Sequence, residues 1–388
     1  MIRTQTIQPL PARLYAELGW DYFISEEAAT YLSQELVLTS EMACRTYATT
    51  ANRAFDLWVE AAQYVLDQGL LSDMGIPENL HRLIRYTWEN DSHLHLLGRF
   101  DLVGESNPKI LEFNADTPTM LPETAILQWL QLKQNGLPER KQFNEVYAAL
   151  VRQFTRLREL NPDKEPTMLF STLSGYAEDD NNVELTMEAA AEAGFSVHFC
   201  PIEDVIFSEF DGLFMPQDSG DPLLCPFWYK LVPWEFIGWD EPELAEILTR
   251  LVLKDRLIVI NPAYAVLLQS KGLLPILHQL FPNEPSILPS FSKRPTTGKW
   301  VEKVMMGREG ANIRILEEFD THPENMEGPY QNQPKIYQAY TPLDQDSAGF
   351  HYQAGVFFSY EACGLGYRRS SQRILGNNAQ FVGHFQST

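Results

Sequence analysis

The chain has 388 residues, 44% hydrophobic and 12% aromatic, and its 52 acidic and 30 basic side chains give a formal net charge of −22. This composition predicts a folded globular protein of two or three lobes and excludes an intrinsically disordered chain. The acidic charge argues against a nucleic-acid partner, which needs a basic face, and fits either a cationic small substrate or simple solubility.

Targeting and redox signals are absent. No apolar run approaches the roughly 20 residues that a membrane span needs, and the first residues lack the apolar region of a signal peptide. The cysteines lie far apart without C-x-x-C spacing, at Cys44, Cys200, Cys225 and Cys363. Such cysteines are typical of reduced thiols. We therefore expect a cytoplasmic protein that binds no membrane and holds no structural zinc.

The first predicted elements along the chain are helices around one β-hairpin. Helical periodicity is expected over residues 25–70, 77–88, 122–132 and 145–157. Between the second and third of these, residues 98–103 and 110–116 alternate polar and apolar side chains around a turn that contains Gly104 and Pro108. This pattern predicts two antiparallel strands joined as a hairpin.

The breaker-rich residues 160–166 then predict a domain boundary. Beyond it, a strand–helix–strand rhythm indicates parallel βαβ units, with strands at 167–171, 196–200 and 256–261 and helices at 183–193 and 242–254. From residue 299 onwards the pattern favours strands, at 301–305, 312–316, 335–340 and 352–358. The predicted fold class is therefore mixed α+β with α/β character.

The hairpin carries the strongest chemical signal. Because alternate side chains of a strand point the same way, Arg99 and Asp101 share one face of the first strand, and Glu112 and Asn114 share one face of the second. Two carboxylates and an amide oxygen suit Mg²⁺ that also holds nucleotide phosphates. The guanidinium suits a phosphoryl group in transfer. The alternative is a surface hairpin with an arginine–carboxylate pair.

The segment after the hairpin, residues 114–119, carries hydroxyl groups beside the predicted metal strand. Thr117 and Thr119 would hold a substrate carboxylate or a peptide backbone there. The alternative is a turn that caps the following helix, since Asp, Ser and Thr are preferred at helix N-termini.

Lysines in apolar surroundings indicate an anionic ligand, because burying an unpaired cation is costly. Lys303 lies within an apolar strand, and Gly307 and Gly310 of the following loop would let the backbone approach phosphates closely. A simple hairpin turn is the alternative for that loop. Lys271 follows an apolar run, and a solvated lysine at a helix end is the alternative for it.

Two features near the C-terminus are weaker alone. The strand 336–340 would present backbone groups to the edge of an adenine base, or be an ordinary strand. Arg368 follows two glycines and would clamp a phosphate, with Asn377 as a metal or substrate contact. The alternative there is a hairpin with exposed charges. No P-loop sequence and no Gly-x-Ser-x-Gly sequence occurs in the chain.

Taken in order, these motifs resemble the synthetase domain of the glutathionylspermidine synthase family, which also contains stand-alone acid–amine ligases. The resemblance covers nearly the whole chain and is carried by residues 18–20, 98–101, 111–116, 271, 302–312 and 364–384. It implies an ATP-grasp fold, in which two α+β lobes enclose ATP, together with a βαβ-type substrate domain. The implied segments are a helical region with the metal-binding hairpin (1–160), the substrate domain (161–262), and the nucleotide-binding lobe with the C-terminal core strands (263–388).

The resemblance also implies roles for the matching positions. Two Mg²⁺ ions would be bound by Asp101, Glu112 and Asn114. ATP would contact Lys271, Lys303, Gly307, Gly310, Gln338, Ala339 and Tyr340. The transferred phosphoryl group would meet Arg99 and Arg368, below a mobile loop that contains Arg308.

Acidic residues follow the predicted strand 167–171. Glu178, Asp179 and Asp180 fall where relatives hold a polyamine, and the alternative for them is a solvated turn before the helix at Val183.

The chain departs from the family pattern near its C-terminus. The departures, which bear on the substrates more than on the ATP chemistry, are Arg369, Leu375, Ala379 and Gly383.

We therefore expect an ATP-dependent ligase that joins a glutathione-like carboxylate to a polyamine-like amine through an acyl phosphate, without the amidase domain of bifunctional relatives. An alternative from another class is a catalytically silent ATP-binding homologue that acts as a regulatory or partner protein. A carbohydrate- or peptide-binding module would not explain two lysines in apolar surroundings. The sequence does not indicate the oligomeric state.

Overall fold

A computed structural model of the chain describes residues 1–25, 28, 30–317 and 324–387. These residues form a mixed α+β structure with sheets of eight, five, four and three strands. Among them is no helix with the length and apolar character that crossing a lipid bilayer requires.

The helices and strands of the described residues are numbered in chain order. The strands are β1 (Arg3–Thr6), β2 (Leu32–Thr39), β3 (Gly98–Val103), β4 (Lys109–Asn114), β5 (Thr167–Ser171), β6 (Ser196–Phe199), β7 (Ile206–Ser208), β8 (Gly212–Met215), β9 (Leu223–Leu224), β10 (Phe227–Lys230), β11 (Ile258–Ile260), β12 (Ser290–Phe291), β13 (Trp300–Val304), β14 (Ile313–Leu316), β15 (Asn325–Met326), β16 (Lys335–Ala339), β17 (Asp344–Gln345), β18 (His351–Ser359), β19 (Glu361–Ser370) and β20 (Gln380–Gln386). The α-helices are α1 (Ala12–Leu18), α2 (Glu41–Gln68), α3 (His81–Trp88), α4 (Gln128–Gln134), α5 (Val146–Leu160), α6 (Ala177–Glu192), α7 (Trp234–Asp240), α8 (Pro242–Leu253), α9 (Ala265–Gln269) and α10 (Leu273–Leu280).

The largest sheet combines strands from both halves of the chain, in the order β1-β2-β20-β19-β18-β3-β4, with β17 paired to β18. The pair β2–β20 is parallel, and the other neighbours are antiparallel. The predicted hairpin is therefore confirmed as β3–β4, and it forms one edge of this sheet.

Helix α2 packs on the large sheet, against β18 and β19, because one of its sides is apolar. Its N-terminus is capped by Ser40, whose Oγ accepts a hydrogen bond from the Ala43 N–H at 3.0 Å. It ends at Gly69, which adopts the left-handed conformation with φ 69°. Leu57 and Trp58 are buried, and the burial of each stabilises the fold by roughly 1.5–3 kcal/mol.

The prediction of helix over residues 25–70 is wrong before α2, where Leu32–Thr39 form β2. Residues 26, 27 and 29 of that prediction lie outside the described residues. The spacing of leucines such as Leu36 is compatible with a helix, but this segment pairs with β1 on one side and β20 on the other. Those partners lie elsewhere in the chain, so local periodicity does not reveal them.

A parallel four-stranded sheet, in the order β11-β10-β5-β6, confirms the predicted α/β units. Helix α6 connects β5 to β6, and α8 leads to β11. The predicted start of α6 at Val183 is wrong, because the helix begins at Ala177 and has Glu178, Asp179 and Asp180 in its first turn. Carboxylates are favourable there, next to the positive end of the helix dipole. The division of the chain at residues 160 and 262 stays a prediction.

The four strands predicted after residue 299 are found, each to within one residue at either end, as β13, β14, β16 and β18, whereas β15, β17, β19 and β20 were not predicted. A five-stranded antiparallel sheet has the order β12-β16-β13-β14-β15, and α10 packs on β12 and β16. The predicted strand at 352–358 is β18 of the large sheet. The three-stranded sheet β7-β8-β9 was not predicted.

Candidate active site

A cavity of about 350 Å³ lies between the large sheet and the five-stranded sheet. Most of the predicted site residues line it, namely Arg99, Asp101, Glu112, Asn114, Thr117, Thr119, Glu178, Lys303, Arg308, Gly310, Gln338, Ala339, Tyr340 and Arg368. Lys271, Gly307 and Asp179 do not line it. The structure thus brings together side chains that are spread over almost the whole sequence.

The hairpin gathers its four polar residues through its register. Arg99 on β3 lies opposite Asn114 on β4, and Asp101 lies opposite Glu112. The register shifts immediately after Asp101, so the residues towards the turn are paired differently. The expected clustering on one side of the hairpin is therefore found, and the alternative of a solvent-exposed hairpin is not.

Arg99 and Asp101 form a buried ion pair at the floor of the cavity. The Arg99 Nε–H donates to Asp101 Oδ1 at 2.8 Å, and Nη2 donates to Oδ2 at 3.2 Å. A third bond runs from Nη1 to the Thr119 carbonyl at 2.9 Å, and Asn114 Nδ2 donates to Asp101 Oδ2 at 3.1 Å. A Cβ at Gly355, on the adjacent β18, would lie 3.0 Å from the Arg99 side chain. The floor is thus closely packed around the guanidinium.

Two lysines surround the carboxylate of Glu112. Lys271 Nζ lies 3.2 Å from Glu112 Oε2 and donates to the Gly307 carbonyl at 2.7 Å. Lys303 Nζ donates to the Leu111 carbonyl at 3.0 Å. Burial alone would raise the pKa of Glu112, but the two lysines outweigh it and lower the pKa to about 2. Glu112 is therefore an ionised carboxylate at neutral pH.

Neither lysine is solvated. The side chain of Lys271 is only 8% exposed, so the alternative of a free helix-end lysine is wrong. Burial lowers the pKa of Lys303 to about 8, although Glu112 opposes that shift. Two buried cations held beside one carboxylate leave positive charge available to an anionic ligand.

The oxygen donors of the cavity fit a hard divalent cation. Asp101, Glu112 and Asn114 all line the same wall, and carboxylate and amide oxygens suit Mg²⁺. Within the described residues there is no cluster of three or more His, Cys, Asp or Glu that would enclose a metal by itself. This donor set therefore leaves coordination positions to phosphate oxygens and water, as Mg²⁺ bound with a nucleotide requires.

The loop that contains Gly307 and Gly310 contacts several neighbouring segments. Arg308 Nη1 donates to Thr117 Oγ1 at 2.8 Å, and Glu309 accepts a hydrogen bond from Asn377 Nδ2. Gly310 has φ 73°, and a Cβ there would lie 2.5 Å from the Leu375 carbonyl. A glycine is thus required at 310 by both backbone conformation and space.

The opposite wall of the cavity is more apolar. It is formed by the end of β16 together with side chains of β13 and β14, and its apolar members include Val301, Ile313, Ile315 and Leu343. Gln338 is buried and donates through Nε2 to the Ile110 carbonyl at 3.2 Å, which ties this wall to β4. An apolar wall bordered by a strand end is suited to a purine base.

An acidic end of the cavity is formed by α6. Glu178 lines it and accepts a hydrogen bond from the Tyr22 hydroxyl at 3.3 Å. Asp179, outside the lining, has its pKa raised to about 7 by burial and by the neighbouring carboxylates Glu178 and Asp180. Asp180 points elsewhere, since it accepts a hydrogen bond from Thr172 Oγ1 at 2.7 Å. The alternative of a solvated turn before the helix is wrong for Glu178 and Asp179, because both lie half-buried in the first turn of α6.

Residues 2–387 match the sequence model of the glutathionylspermidine synthase preATP-grasp family. The chain belongs to the glutathionylspermidine synthase family. Members of this family are ATP-dependent ligases of small molecules and generally use Mg²⁺. The names of the family and of its members indicate a ligase class, and the number of metal ions stays a prediction.

Individual relatives agree with this membership. A Haemophilus influenzae protein named "Putative acid–amine ligase" is 28% identical over 382 residues, covering 95% of this chain and 94% of that protein. The bifunctional glutathionylspermidine synthetase/amidase of Escherichia coli is 24% identical over 330 residues, covering 77% of this chain and 51% of that protein. The glutathionylspermidine synthase of Crithidia fasciculata is 25% identical, covering 66% of this chain and 38% of that protein. The chain thus spans about half or less of the two longer relatives.

A solved structure with a similar fold is the apo form of a glutathione synthetase-like effector from Globodera pallida. Its TM-score is 0.60 at 9% identity, and the match covers 92% of this chain and 90% of that chain. At this identity the likeness shows the fold alone. It confirms the mixed α+β architecture of the ATP-grasp type.

The adjacent arginines of β19, Arg368 and Arg369, have different surroundings. Arg368 lines the cavity and donates through Nη2 to the Gly376 carbonyl at 2.6 Å. Arg369, a departure from the family pattern, pairs instead with Glu35 of β2 and donates to the Tyr352 hydroxyl at 3.1 Å. It therefore links strands of the large sheet and does not reach the cavity.

The other departures are mostly structural. Leu375 lines the cavity and Ala379 is buried. Gly383 packs so closely on α4 that a Cβ there would lie 2.9 Å from the Cβ of Gln128. Of the four departures, Leu375 is thus the one that a bound ligand would contact.

Two buried carboxylates beside the cavity, Glu123 and Glu235, were not predicted from the sequence. Both side chains are fully buried. Each is a single acidic residue within an otherwise largely apolar segment. That isolation could have marked both residues in the sequence, because burying a lone charge is unfavourable unless it has a function or a partner. Glu235 pairs with Arg308.

Glu123 begins the π-helical turn Glu123–Leu127 that precedes α4, and such turns are frequent at functional sites. Its Oε1 accepts a hydrogen bond from the Tyr31 hydroxyl at 2.7 Å. Its Oε2 has no hydrogen-bond partner among the described residues. Burial, followed by the charge of Glu178, raises the pKa of Glu123 to about 7.

This raised pKa makes the stability of the protein depend on pH. Between the ordinary pKa of a glutamate and about 7, the folded state binds more protons than the unfolded state, so the free energy of unfolding falls as the pH rises. We expect Glu123→Gln to be more stable than the parent at pH 8, by up to about 3 kcal/mol, and to lose that advantage at pH 5. Thermal melts at both pH values test this, with Glu188→Gln on the exposed side of α6 as control. An advantage of equal size at both pH values would contradict the assignment.

Proposed function

We propose that the protein is an ATP-dependent ligase that forms an amide bond between a carboxylic acid and an amine. The observation that carries the proposal is that one cavity is lined by three oxygen donors, a buried lysine, four arginines and a group of apolar side chains. A second buried lysine, Lys271, lies 3.2 Å from the Glu112 carboxylate. This combination matches what ATP with Mg²⁺ requires, since the base needs an apolar slot and the phosphates need both metal and fixed cations.

In this proposal, Asp101, Glu112 and Asn114 hold the metal. When bound, Mg²⁺ neutralises charge on the phosphates and makes the γ-phosphoryl group more electrophilic. Lys303 and Lys271 contact the phosphates, and Gln338–Tyr340 border the adenine.

The first step is phosphoryl transfer to the acid. A carboxylate oxygen of the acid attacks the γ-phosphorus, the bond to the bridging oxygen of ADP breaks, and an acyl phosphate forms. Arg99 and Arg368 lie at the cavity wall where they would neutralise the phosphoryl oxygens. Thr117 and Thr119 orient the acid, which makes the transfer a matter of positioning as much as of charge.

The second step is attack by the amine. The neutral amine nitrogen bonds to the acyl carbon and gives a tetrahedral intermediate. The bond from that carbon to the phosphate oxygen then breaks, and the proton lost by the nitrogen goes to the departing phosphate. The loop with Gly307, Arg308 and Gly310 excludes water, which would otherwise hydrolyse the acyl phosphate. Glu178, which lines the cavity, and the neighbouring Asp179 provide the acidic end to which the cationic amine would bind.

For the substrates we propose a peptide acid of the glutathione type and an amine of the polyamine type. The names of the Escherichia coli and Crithidia fasciculata relatives support this choice, and so does the acidic end of the cavity.

Release of phosphate from ATP and Mg²⁺ tests the proposal, first with glutathione alone, then with glutathione and spermidine, and then with a panel of peptides and amines. We expect release to require both an acid and an amine. Alongside it, ATP with Mg²⁺ at 100 times its Kd should stabilise the fold by about 2.7 kcal/mol in thermal melts. Stabilisation without turnover on any pair would favour a silent nucleotide-binding homologue, and the absence of both would contradict nucleotide binding altogether.

A further inference from the structure

Glu235 is a buried carboxylate on α7 with no assigned role. Its side chain is 0% exposed, and its Oε1 accepts hydrogen bonds from Arg308 Nε at 3.1 Å and Nη2 at 2.7 Å. Within the described part of the chain, Arg308 is its only salt-bridge partner, and Oε2 accepts no hydrogen bond. A buried carboxylate is strongly unfavourable without a cation. The position of Glu235 therefore depends on the loop that Arg308 belongs to.

Arg308 in turn is held by three contacts and retains unused donors. Besides the two bonds to Glu235, its Nη1 donates to Thr117 Oγ1 at 2.8 Å, and its guanidinium lies 5.6 Å from the centre of the Phe236 ring. A guanidinium has five N–H groups, and these bonds use three of them. Two N–H groups of a residue that lines the cavity thus stay available to an anionic ligand.

The first turn of α7 is a rigid support for this contact. Asp116 Oδ2 accepts the Trp234 N–H at 2.8 Å, and Asp116 Oδ1 lies 3.1 Å from Lys230 Nζ. All three residues are buried, and the ammonium group lies 4.4 Å from the centre of the Trp234 ring. Asp116 follows the end of β4 by two residues, so the support of Glu235 is continuous with the strand that carries Glu112 and Asn114.

We propose that Glu235 is the positioning residue for Arg308, which it holds over the cavity so that the loop is docked on α7 before any nucleotide binds. The contact joins the loop of the nucleotide-binding side to the parallel-sheet unit through a fork of two hydrogen bonds. The inference rests on the proposed function only in that the anion met by Arg308 is a phosphoryl group. The docking itself is a property of the protein without ligands.

Hydrogen exchange of the loop tests the proposal independently of catalysis. Glu235→Gln retains the shape and one oxygen but removes the charge, and we expect the amides of residues 305–313 to exchange at least about 5-fold faster than in the parent. Exchange in α2 should stay unchanged. The matched control is Glu241→Gln, an exposed carboxylate immediately after α7, which should leave loop exchange as in the parent.

Arg308→Lys alters the other partner of the same ion pair, on the loop. It keeps the charge but loses the planar fork, so we expect loop exchange to rise as it does in Glu235→Gln. Because Arg308 is 23% exposed, this variant is the measurement to use if Glu235→Gln does not fold. Parent-like loop exchange in whichever of the two variants folds overturns the proposal.

Steady-state kinetics of Glu235→Gln distinguish a positioning role of Glu235 from a purely structural one. In Glu235→Gln we expect kcat to fall by about 10-fold, with the KM for ATP changed by less than about 3-fold, because a misplaced arginine affects the transition state more than the bound nucleotide. A changed KM with an unchanged kcat would overturn the positioning role. If the parent has no ligase activity while loop exchange rises in Glu235→Gln, the docking contact stands and the proposed function fails.

Discussion

Replacing Glu112 with glutamine is expected to lower the ligase turnover number at least about 10³-fold while the fold is retained. The change removes an ionised oxygen from the wall that is proposed to bind the metal, and it leaves Lys271 and Lys303 without their shared counter-charge. Loss of one preorganised group that stabilises transition-state charge commonly costs 10²–10³-fold in rate, and this residue is proposed both to bind the metal and to hold two lysines. The measurement is steady-state phosphate release over a range of Mg²⁺ concentrations.

The control for this prediction is Glu105→Gln in the turn of the same hairpin. It removes the same charge from an exposed position, so turnover should stay within a factor of about 2 of the parent. If Glu112→Gln retained the activity of this control, the metal assignment would be wrong. A rescue of Glu112→Gln by high Mg²⁺ would instead strengthen it, because a weakened site fills at higher metal concentration.

The second large effect is expected for Lys303→Met, which should lower kcat/KM for ATP by about 10² or more. Methionine preserves much of the length of the side chain and removes the cation proposed to contact the phosphates. The stability should change by less than about 2 kcal/mol, because two terms oppose each other. Loss of the hydrogen bond to the Leu111 carbonyl lowers the stability. Removal of a buried cation raises it, because the folded state no longer bears the cost of dehydrating the ammonium group.

Isothermal titration with ATP and Mg²⁺ measures the change in nucleotide affinity, and thermal melts measure the change in stability. Lys293→Met, which removes an exposed lysine, serves as the matched control and should bind ATP like the parent. Parent-like affinity in Lys303→Met would remove Lys303 from the nucleotide site. Unfolding of that variant would show that the lysine is needed for the fold, and Lys303→Gln would then separate the two roles.

The parts of the site that were predictable from sequence are those with a local signal. The alternation of Arg99 and Asp101 within β3 is visible because strand periodicity spans only two residues, and the turn brings β4 alongside it. Lys303 is conspicuous because a cation interrupts an apolar strand. For these residues, the sequence pattern already indicates a polar site, and the structure gives the distances and the hydrogen-bond partners.

The parts that were not predictable depend on partners far away in sequence. Glu235 and Arg308 are 73 positions apart, and Glu123 and Tyr31 are 92 apart. A single sequence contains no signal for such a pairing beyond an acidic residue in an apolar segment. The same reason explains β2, whose leucines fit a helix locally but are paired on both sides with distant strands.

The order of strands in the large sheet has a consequence during synthesis, which proceeds from the N-terminus. β3 and β2 emerge early, but their neighbours β18 and β20 are made last. Until then the nascent chain exposes unpaired strand edges, which are prone to associate with other chains. Arg368, on β19, also joins Arg99 only at that stage. A partly made chain therefore lacks part of the cavity wall, and under the proposed function it cannot transfer a phosphoryl group before the sheet has closed.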